Sequence, residues 1–381
     1  MPEGTFVESI IENQKVLGAD SGTLTVNLPT SNYLQGLLLR VQNVNGSTSN
    51  GSTGAGETIQ GDISKIEVIG DGVTLFSTSG RLARKFEHFD TGDEPPTDET
   101  QAASAVQWAV FPIKFGRHAQ DKELLVPAHM LSNLQLKVTW SFTDSTTVGY
   151  TTSESNAKID VIARYLYATE RSNTAFLKKV EVWSKTPAST GTEEATLPIG
   201  AGNGRYRRIM IYCYEVAIED GVDISDFSLK MNDAQTLIED RWDTRQIRNA
   251  IKYNAYHTKT VSTMLNDADT YNSYVSRISA VALTCGAAVR AASATAIAGD
   301  RITIGYSDLA TPTVVTTDAV IYFTIRGQVV SHAVMLDLGT DNLADSLYVG
   351  KDSGISTLKL KMTVAAAGGA TSIITEQLVS F

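Results

Sequence analysis

Apolar and polar positions alternate with a period of two along most of this chain, the pattern of half-buried β-strands. TLTVNL (Thr23–Leu28) alternates, LLLRVQNV (Leu37–Val44) is a β-run, and ISKIEVI (Ile63–Ile69) offers Ile63, Ile66 and Val68 as inward residues around a local bulge. Three further strands are predicted at Trp108–Phe115, Asn133–Phe142 and Ile159–Tyr167. Helical spacing is rarer. In Glu3–Leu17, Phe6 with Ile10 and Val7 with Ile11 stand four apart and Gly18 follows, which predicts a short amphipathic helix. A helix of that length is marginal alone and needs a surface to dock on. Ser79–Phe89 reads as a second helix, with Leu82 and Phe86 on one face. The Gly/Ser/Asn/Thr tract Asn45–Gly56 and the acidic, Pro-containing tract Asp90–Thr100 read as loops.

The chain also resembles itself. LQLKVT (Leu134–Thr139) returns as LKLKMT (Leu358–Thr363). Ile113, Phe115, Gly116, Leu124 and Val126 match Leu336, Leu338, Gly339, Leu347 and Val349 at one offset of about 223 residues. ISKIEV (Ile63–Val68) returns as ISDFSL (Ile224–Leu229). A helical segment follows each, GRLARKF (Gly80–Phe86) and EDRWDTRQI (Glu239–Ile247). NLP (Asn27–Pro29) matches TLP (Thr196–Pro198) before RRIMIYCYEV (Arg207–Val216), and the last strands, Ile159–Tyr167 and Ser372–Phe381, correspond. The same order in both halves predicts two copies of one all-β unit. Between Ile247 and Val334 the second copy carries roughly 60 extra residues, about 256–318 and rich in Ala, Thr, Ser and Val. An insertion between sandwich strands is expected to project as a loop or small tower.

Composition narrows the function classes. Of 381 residues 42% are hydrophobic, enough for a large core, and the formal net charge of −10 argues against a nucleic-acid coat or a polybasic membrane binder. Cys213 and Cys285 make no disulfide framework. Glu3, Glu8 and Glu12 stand where a secretory leader would be basic, and the Ala/Ser/Thr-rich stretch Ile278–Ala298 contains Arg290 and is a poor membrane span. The chain is expected to be soluble when made.

Many modest strands, long loops and tandem copies suggest two jelly rolls. Here the residues FPIKFG (Phe111–Gly116) and LLVPAHMLSNLQLKVTW (Leu124–Trp140) carry a family resemblance: an apolar-Pro strand, a Gly turn, a Val-Pro-Ala corner and a strand leading out. The stretch is similar to that of the double jelly-roll major capsid proteins of tailless icosahedral viruses. In the second copy Met335 replaces the Pro and Gly350 stands at the corner. The resemblance implies an all-β fold of two tandem jelly-roll sandwiches with a short N-terminal helical arm and small helices between strands. The implied division is an arm at 1–18, a first jelly roll at 19–170, a connector at 171–195, and a second jelly roll at 196–381. The resemblance further implies homotrimers forming pseudo-hexagonal capsomers, with neighbouring capsomers and minor or penton proteins as partners. It gives residues 1–18 an inward position against a membrane or other capsomers, and the insertion an outward one. Localisation would be the virion, after synthesis and assembly in the host cytoplasm, without direct nucleic-acid binding.

No enzymatic set stands out, and no catalytic residue, cofactor or metal is expected. His88, His118, His129, His257 and His332 lack HxH or HExxH spacing. Asp90, Asp93, Glu94, Asp98 and Glu99 crowd oxygen ligands as a calcium site would, but without the alternation and central Gly of a calcium loop. A solvated acidic loop is the plainer reading, as for Asp337, Asp341 and Asp345. GAGNG (Gly200–Gly204) with Arg205, Arg207 and Arg208 invites a phosphate reading, yet a strand follows where a phosphate loop needs a helix. The sequons at Asn45 and Asn50 suggest an exposed tip. Glu193–Glu194 and Glu239–Asp240 are sequence neighbours, not an opposed acid pair, and GxSxG is absent. Cys213 between Tyr212 and Tyr214 reads as a small buried hydrophobe. Trp108, Trp140, Trp183, Trp242 and Tyr206 could form a sugar platform, though core roles are commoner. The alternative to a capsid subunit is therefore a tandem-sandwich carbohydrate-binding or receptor-binding surface protein. A jelly-roll hydrolase comes third.

Overall fold

A computed structural model describes residues 4–45, 59–98, 104–142, 150, 156–167, 175–200, 204–214, 222–253, 330, 332–339, 346–350 and 352–380, and the backbone of six strands within 257–327. The first half runs through β1 (Thr5–Val16), β2 (Ser21–Asn27), β3 (Tyr33–Val44), the one-turn α1 (Ile59–Asp62), β4 (Ile63–Gly70), β5 (Val73–Thr78), α2 (Gly80–Thr91), β6 (Thr97–Asp98), β7 (Val106–Lys114), β8 (Leu134–Ser141) and β9 (Lys158–Tyr167). The second half runs through β10 (Ala175–Lys185), β11 (Gly191–Thr196), β12 (Arg205–Tyr214), β13 (Ile224–Met231), β14 (Gln235–Arg241) and α3 (Trp242–Tyr253). After an inserted region it resumes with β21 (Ala333–Asp337), β22 (Leu347–Tyr348), β23 (Leu358–Val364) and β24 (Ala370–Ser380).

In the first sandwich the sheet β1-β9-β3-β7-β6 lies over β2-β8-β4-β5, and one core joins them, with Leu37, Leu39, Phe111 and Val161 from one sheet and Ile66, Val68, Leu136 and Val138 from the other. In the second, β10-β24-β12-β21 lies over β11-β23-β13-β14 around Ile209, Ile211, Phe227, Leu336 and Leu360. The strand orders coincide position for position: β1, β9, β3 and β7 map onto β10, β24, β12 and β21, and β2, β8, β4 and β5 onto β11, β23, β13 and β14. These are two tandem jelly rolls, and the repeats read in the sequence fall on equivalent strands. Strict alternation explains the best match. Leu134, Leu136, Val138 and Trp140 point inward from β8, as Leu358, Leu360, Met362 and Val364 do from β23. Pro112 is tolerated inside β7 because β6 pairs only as far as Ala109 and Trp108, so the missing N–H falls where the edge is open.

The two sandwiches share a sheet. β5 pairs in parallel with β10, Phe76 opposite Lys179 and Ser77 opposite Val180, so a single nine-stranded sheet runs through both.

Three sequence expectations are corrected. Residues 5–16 form a strand, not a helical arm, and pair with β9 from Thr5↔Tyr167 to Val16↔Lys158. A spacing of four is also even, so Phe6/Ile10 fits a strand as well as a helix; two bulges interrupt the alternation further on, between Ile10 and Lys15. Gln14 sits there at φ 49°, and its backbone N–H donates to Asp160 at 2.6 Å. Residues of the expected connector 171–195 are instead built into β10 and β11, the first two strands of the second sandwich. The helical segment expected at Glu239–Ile247 in the second copy begins only at Trp242, because Glu239–Arg241 complete β14 opposite β13.

The insertion forms β15 (His257–Leu265), β16 (Thr270–Tyr274), β17 (Ile278–Cys285), β18 (Ala292–Ile297), β19 (Arg301–Tyr306) and β20 (Ala319–Gly327). They make two three-stranded sheets, β15-β20-β17 and β16-β19-β18. Among the described residues neither pairs with a sandwich strand.

Candidate functional site

The place where this chain concentrates buried polar chemistry is the junction between its sandwiches. Helix α2 makes that junction. Ser79 caps its start, its hydroxyl accepting from the Leu82 N–H at 3.4 Å, and Gly92 ends it in the left-handed region at φ 80°. Leu82, Phe86 and Phe89 recur on one face and pack on the outer face of the second sandwich, against Met210, Tyr212, Met335 and Ile374. The opposite side of α2 belongs to its own sandwich. Arg84 is fully buried there and donates to the carbonyls of Pro95 at 2.6 Å, Pro96 at 3.2 Å and Val110 at 2.7 Å.

A cluster of charges lies beneath the end of α2. Glu376 on β24 accepts from Arg208 Nε at 2.5 Å, Arg208 Nη2 at 2.9 Å and Arg207 Nη1 at 2.9 Å. Asp90 on α2 accepts from Arg208 Nη2 at 2.6 Å and from Lys179 Nζ on β10 at 3.3 Å, and Lys179 lies 3.5 Å from Glu376. Asp90, Lys179, Arg208 and Glu376 each keep at most 3% of their side-chain surface exposed. Burial alone would raise both carboxyls. The positive charge of Arg208, helped by Lys179 and, at Glu376, by Arg207, outweighs it and holds both below the ordinary carboxylate range. Burial works against the Arg208 cation too, and the two carboxylates reverse that, so its pKa stands well above the ordinary value. Phe86 and Tyr253 roof the cluster, 5.8 and 5.9 Å from the Arg208 guanidinium carbon. Burial pushes the Tyr253 phenol up, and its hydroxyl donates to Asp337. The cluster ties α2 of one sandwich to three strands of the other, which is chemistry for cohesion.

The sequence candidates fall as follows. Asp90, expected in a solvated acidic loop, is one of the two anions of this cluster, and Glu94 lies 3.8 Å from Arg84. Asp93 stays near the surface, and Glu99 lies outside the described residues. Asp337 is engaged by Tyr253 and Lys252, while Asp341 and Asp345 lie outside the described residues. The phosphate reading fails: Arg207 and Arg208 are held by Glu376, and Arg205 donates to the Ser346 carbonyl. The sequon at Asn45 is no exposed tip, since Asn45 is buried and its amide oxygen accepts from Gln107 at 2.9 Å. Asn50 lies outside the described residues.

Cys213 is buried, as expected, with its thiol 3.7 Å from Asp223. Glu193 and Glu194 pair with different lysines, Lys185 and Lys359, and Asp240 pairs with Arg245 and Arg248. Trp140, Trp242 and Tyr206 are core residues, and Trp108 lies under Arg40. Trp183 lines a cleft of about 780 Å³ along the seam, with Arg81, Tyr212 and Tyr214. His88 is buried in α2, His129 and His332 meet Tyr33 and Tyr214 edge to face, and no group of three or more His, Cys, Asp or Glu that could hold a metal occurs among the described residues.

The cluster itself was missed in the sequence. Its one signal was charge inside apolar β-runs: Lys179 in FLKKV, Arg208 before IMIY and Glu376 in IITEQLV.

No family model matches the chain, and no curated protein does. Solved structures do. The major capsid protein of Sulfolobus Turreted Icosahedral Virus aligns with a TM-score of 0.62 at 13% identity, covering 99% of this chain and 97% of that one. The PBCV-1 virus capsid protein gives 0.52 at 8% identity over 99% and 94%. The major capsid protein of bacteriophage PM2 gives 0.50 at 12% over 99% and 97%. At these identities the likeness speaks for fold, and it extends over both sandwiches and their junction: the chain has the double jelly-roll fold of the major capsid proteins of tailless icosahedral viruses.

Proposed function

We propose that this chain is the major capsid protein of such a virus, a structural subunit without enzymatic activity whose place is the virion. The observation that carries the reading is the tandem block itself: two sandwiches repeated strand for strand, sharing one sheet and joined by a buried charge cluster. Fold alone does not dictate function. A doubled wedge with two pseudo-equivalent halves is nevertheless what a pseudo-hexagonal tile requires, because three copies supply six sandwiches. The working division is a first sandwich over 5–167 and a second over 175–380, with 257–327 decorating the outer end. Partners are two further copies in a closed trimer, then neighbouring capsomers and the minor and penton proteins. Residues 5–16, expected to face a membrane as a free arm, take the first strand of the first sandwich instead.

Light scattering on the purified protein across a range of salt tests this. A species near 123 kDa, about three times 41.0 kDa and stable to dilution, is expected. A 41 kDa monomer at every concentration and salt would refute the capsomer.

A further inference from the structure

The internal repeat makes the molecule a measurement of its own missing contact. Each sandwich has one edge strand that could join forward and one that could join back. Within the chain the forward edge of the first sandwich, β5, meets the back edge of the second, β10. The equivalent strands are β14 and β1, and both stand at the edge of their sheets, β14 paired with β13 and β1 with β9. Such edges are templates for another strand.

The helices repeat the relation. α2 and α3 are both 12 residues long and follow equivalent strands. α2 is seated on the outer face of the next sandwich. The positions of α3 that correspond to Leu82, Phe86 and Phe89 are Thr244, Arg248 and Ile251; Ile251 is 68% exposed, and Ile247, one turn before it, is 50% exposed. α2's seat lies on β24, β12 and β21 with its charged end over β10, so the equivalent face is the outer face of β1, β9, β3 and β7, where Ile10 is 68% exposed and Leu38, the counterpart of Met210, 40%.

Charge then identifies the occupant. Ladder pairing puts Lys179 opposite Glu376 in the second sandwich and Glu8 opposite Arg164 in the first, so Lys179 corresponds to Glu8 and Glu376 to Arg164. Asp90, eleventh in α2, corresponds to Lys252, eleventh in α3. All three of these signs are reversed, while Arg208, which bridges Asp90 and Glu376, has the uncharged Gly36 as its counterpart. At the closed junction the helix brings an anion to a lysine; at the open one it carries a cation, and the sheet offers Glu8, 66% exposed and 3.8 Å from Arg164. An α3 placed on this sheet as α2 is placed on the other brings Lys252 to Glu8.

We infer that the open face of β1, β9, β3 and β7 is the seat of α3 from a second copy of this chain, with β14 of that copy adding in parallel to β1 so that Ile238 lies opposite Glu8 and Glu239 opposite Ser9. This register is the Phe76–Lys179 and Ser77–Val180 pairing carried through the repeat. The inference rests on the capsomer reading and names its contact. A head-to-tail interface of this kind is heterologous and closes by rotation. The reversed signs also stop α3 from competing for the internal seat, where Lys252 would meet Lys179 and Arg208.

Two experiments test it. The first joins Ser9→Cys and Glu239→Cys in a Cys285→Ser background, since Cys213 is buried. Neighbouring strands bring Cα atoms within disulfide range. Oxidation is expected to give a reducible ladder ending at three times 41.0 kDa, and neither single variant should give it. The second follows the dissociation midpoint of the oligomer. Glu8→Lys and Lys252→Glu are each expected to raise it at least tenfold, and the double variant to recover most of that loss. A wild-type trimer without the covalent ladder and without rescue would overturn this contact and leave the capsomer reading intact. A wild type that is monomeric throughout would overturn both.

Discussion

Glu376→Gln probes the lock between the sandwiches. The glutamine keeps the shape and removes one of two anions, leaving Arg207, Arg208 and Lys179 around Asp90 alone. Glu376 is fully buried, so water cannot replace the lost charge. Breaking a buried pair from one side costs about 3–5 kcal/mol. For a unit of about two hundred residues, that lowers the melting midpoint by roughly 6–20 °C. Calorimetry at pH 7 measures it. The pH dependence carries a sign. Both carboxyls titrate below their unfolded values of about 4.3 for Glu and 3.9 for Asp. Their contribution is therefore complete above about pH 4.3 and is lost as pH falls through the folded values. The gap between wild type and variant should stay level from pH 5 to 8 and close below about pH 4. Raising salt should leave it unchanged, since buried pairs are poorly screened. A gap below about 2 °C at pH 7, or one that widens in acid, would refute the account of the cluster.

Two further outcomes follow from other buried polar groups. Arg84→Met leaves the carbonyls of Pro95, Pro96 and Val110 without their donor in the first sandwich and should cost about 3 kcal/mol in a urea titration. Asp121 is the hub of the turn after β7. Burial would raise its carboxyl, but bonds from the Arg117 side chain and from the backbone N–H groups of Arg117 and Glu123 bring it down to about 2. Asp121→Asn should therefore cost about 2 kcal/mol at neutral pH, a penalty that fades as pH falls from about 4 to 2.

The period-two pattern alone determined that this chain is all-β, and the return of LQLKVT as LKLKMT determined that it is doubled. Both are legible because inward positions in a half-buried strand must be apolar at every second residue, whatever the rest of the fold does. Tertiary structure decided the rest. Thr5–Val16 became a strand because β9 supplied a ladder and Asp160 fixed the bulge at Gln14, neither of which local spacing reveals. Asp90 looked solvated among its acidic neighbours and is an anion in a dry cluster. Its partners Lys179, Arg208 and Glu376 lie 89, 118 and more than 280 residues further along the chain. A charge's fate depends on what folds over it, and that is long-range information. The same holds for the edges: β1 and β14 read like any other strands, and only the sheet order shows that, among the described residues, they end their sheets as the unpaired counterparts of β10 and β5.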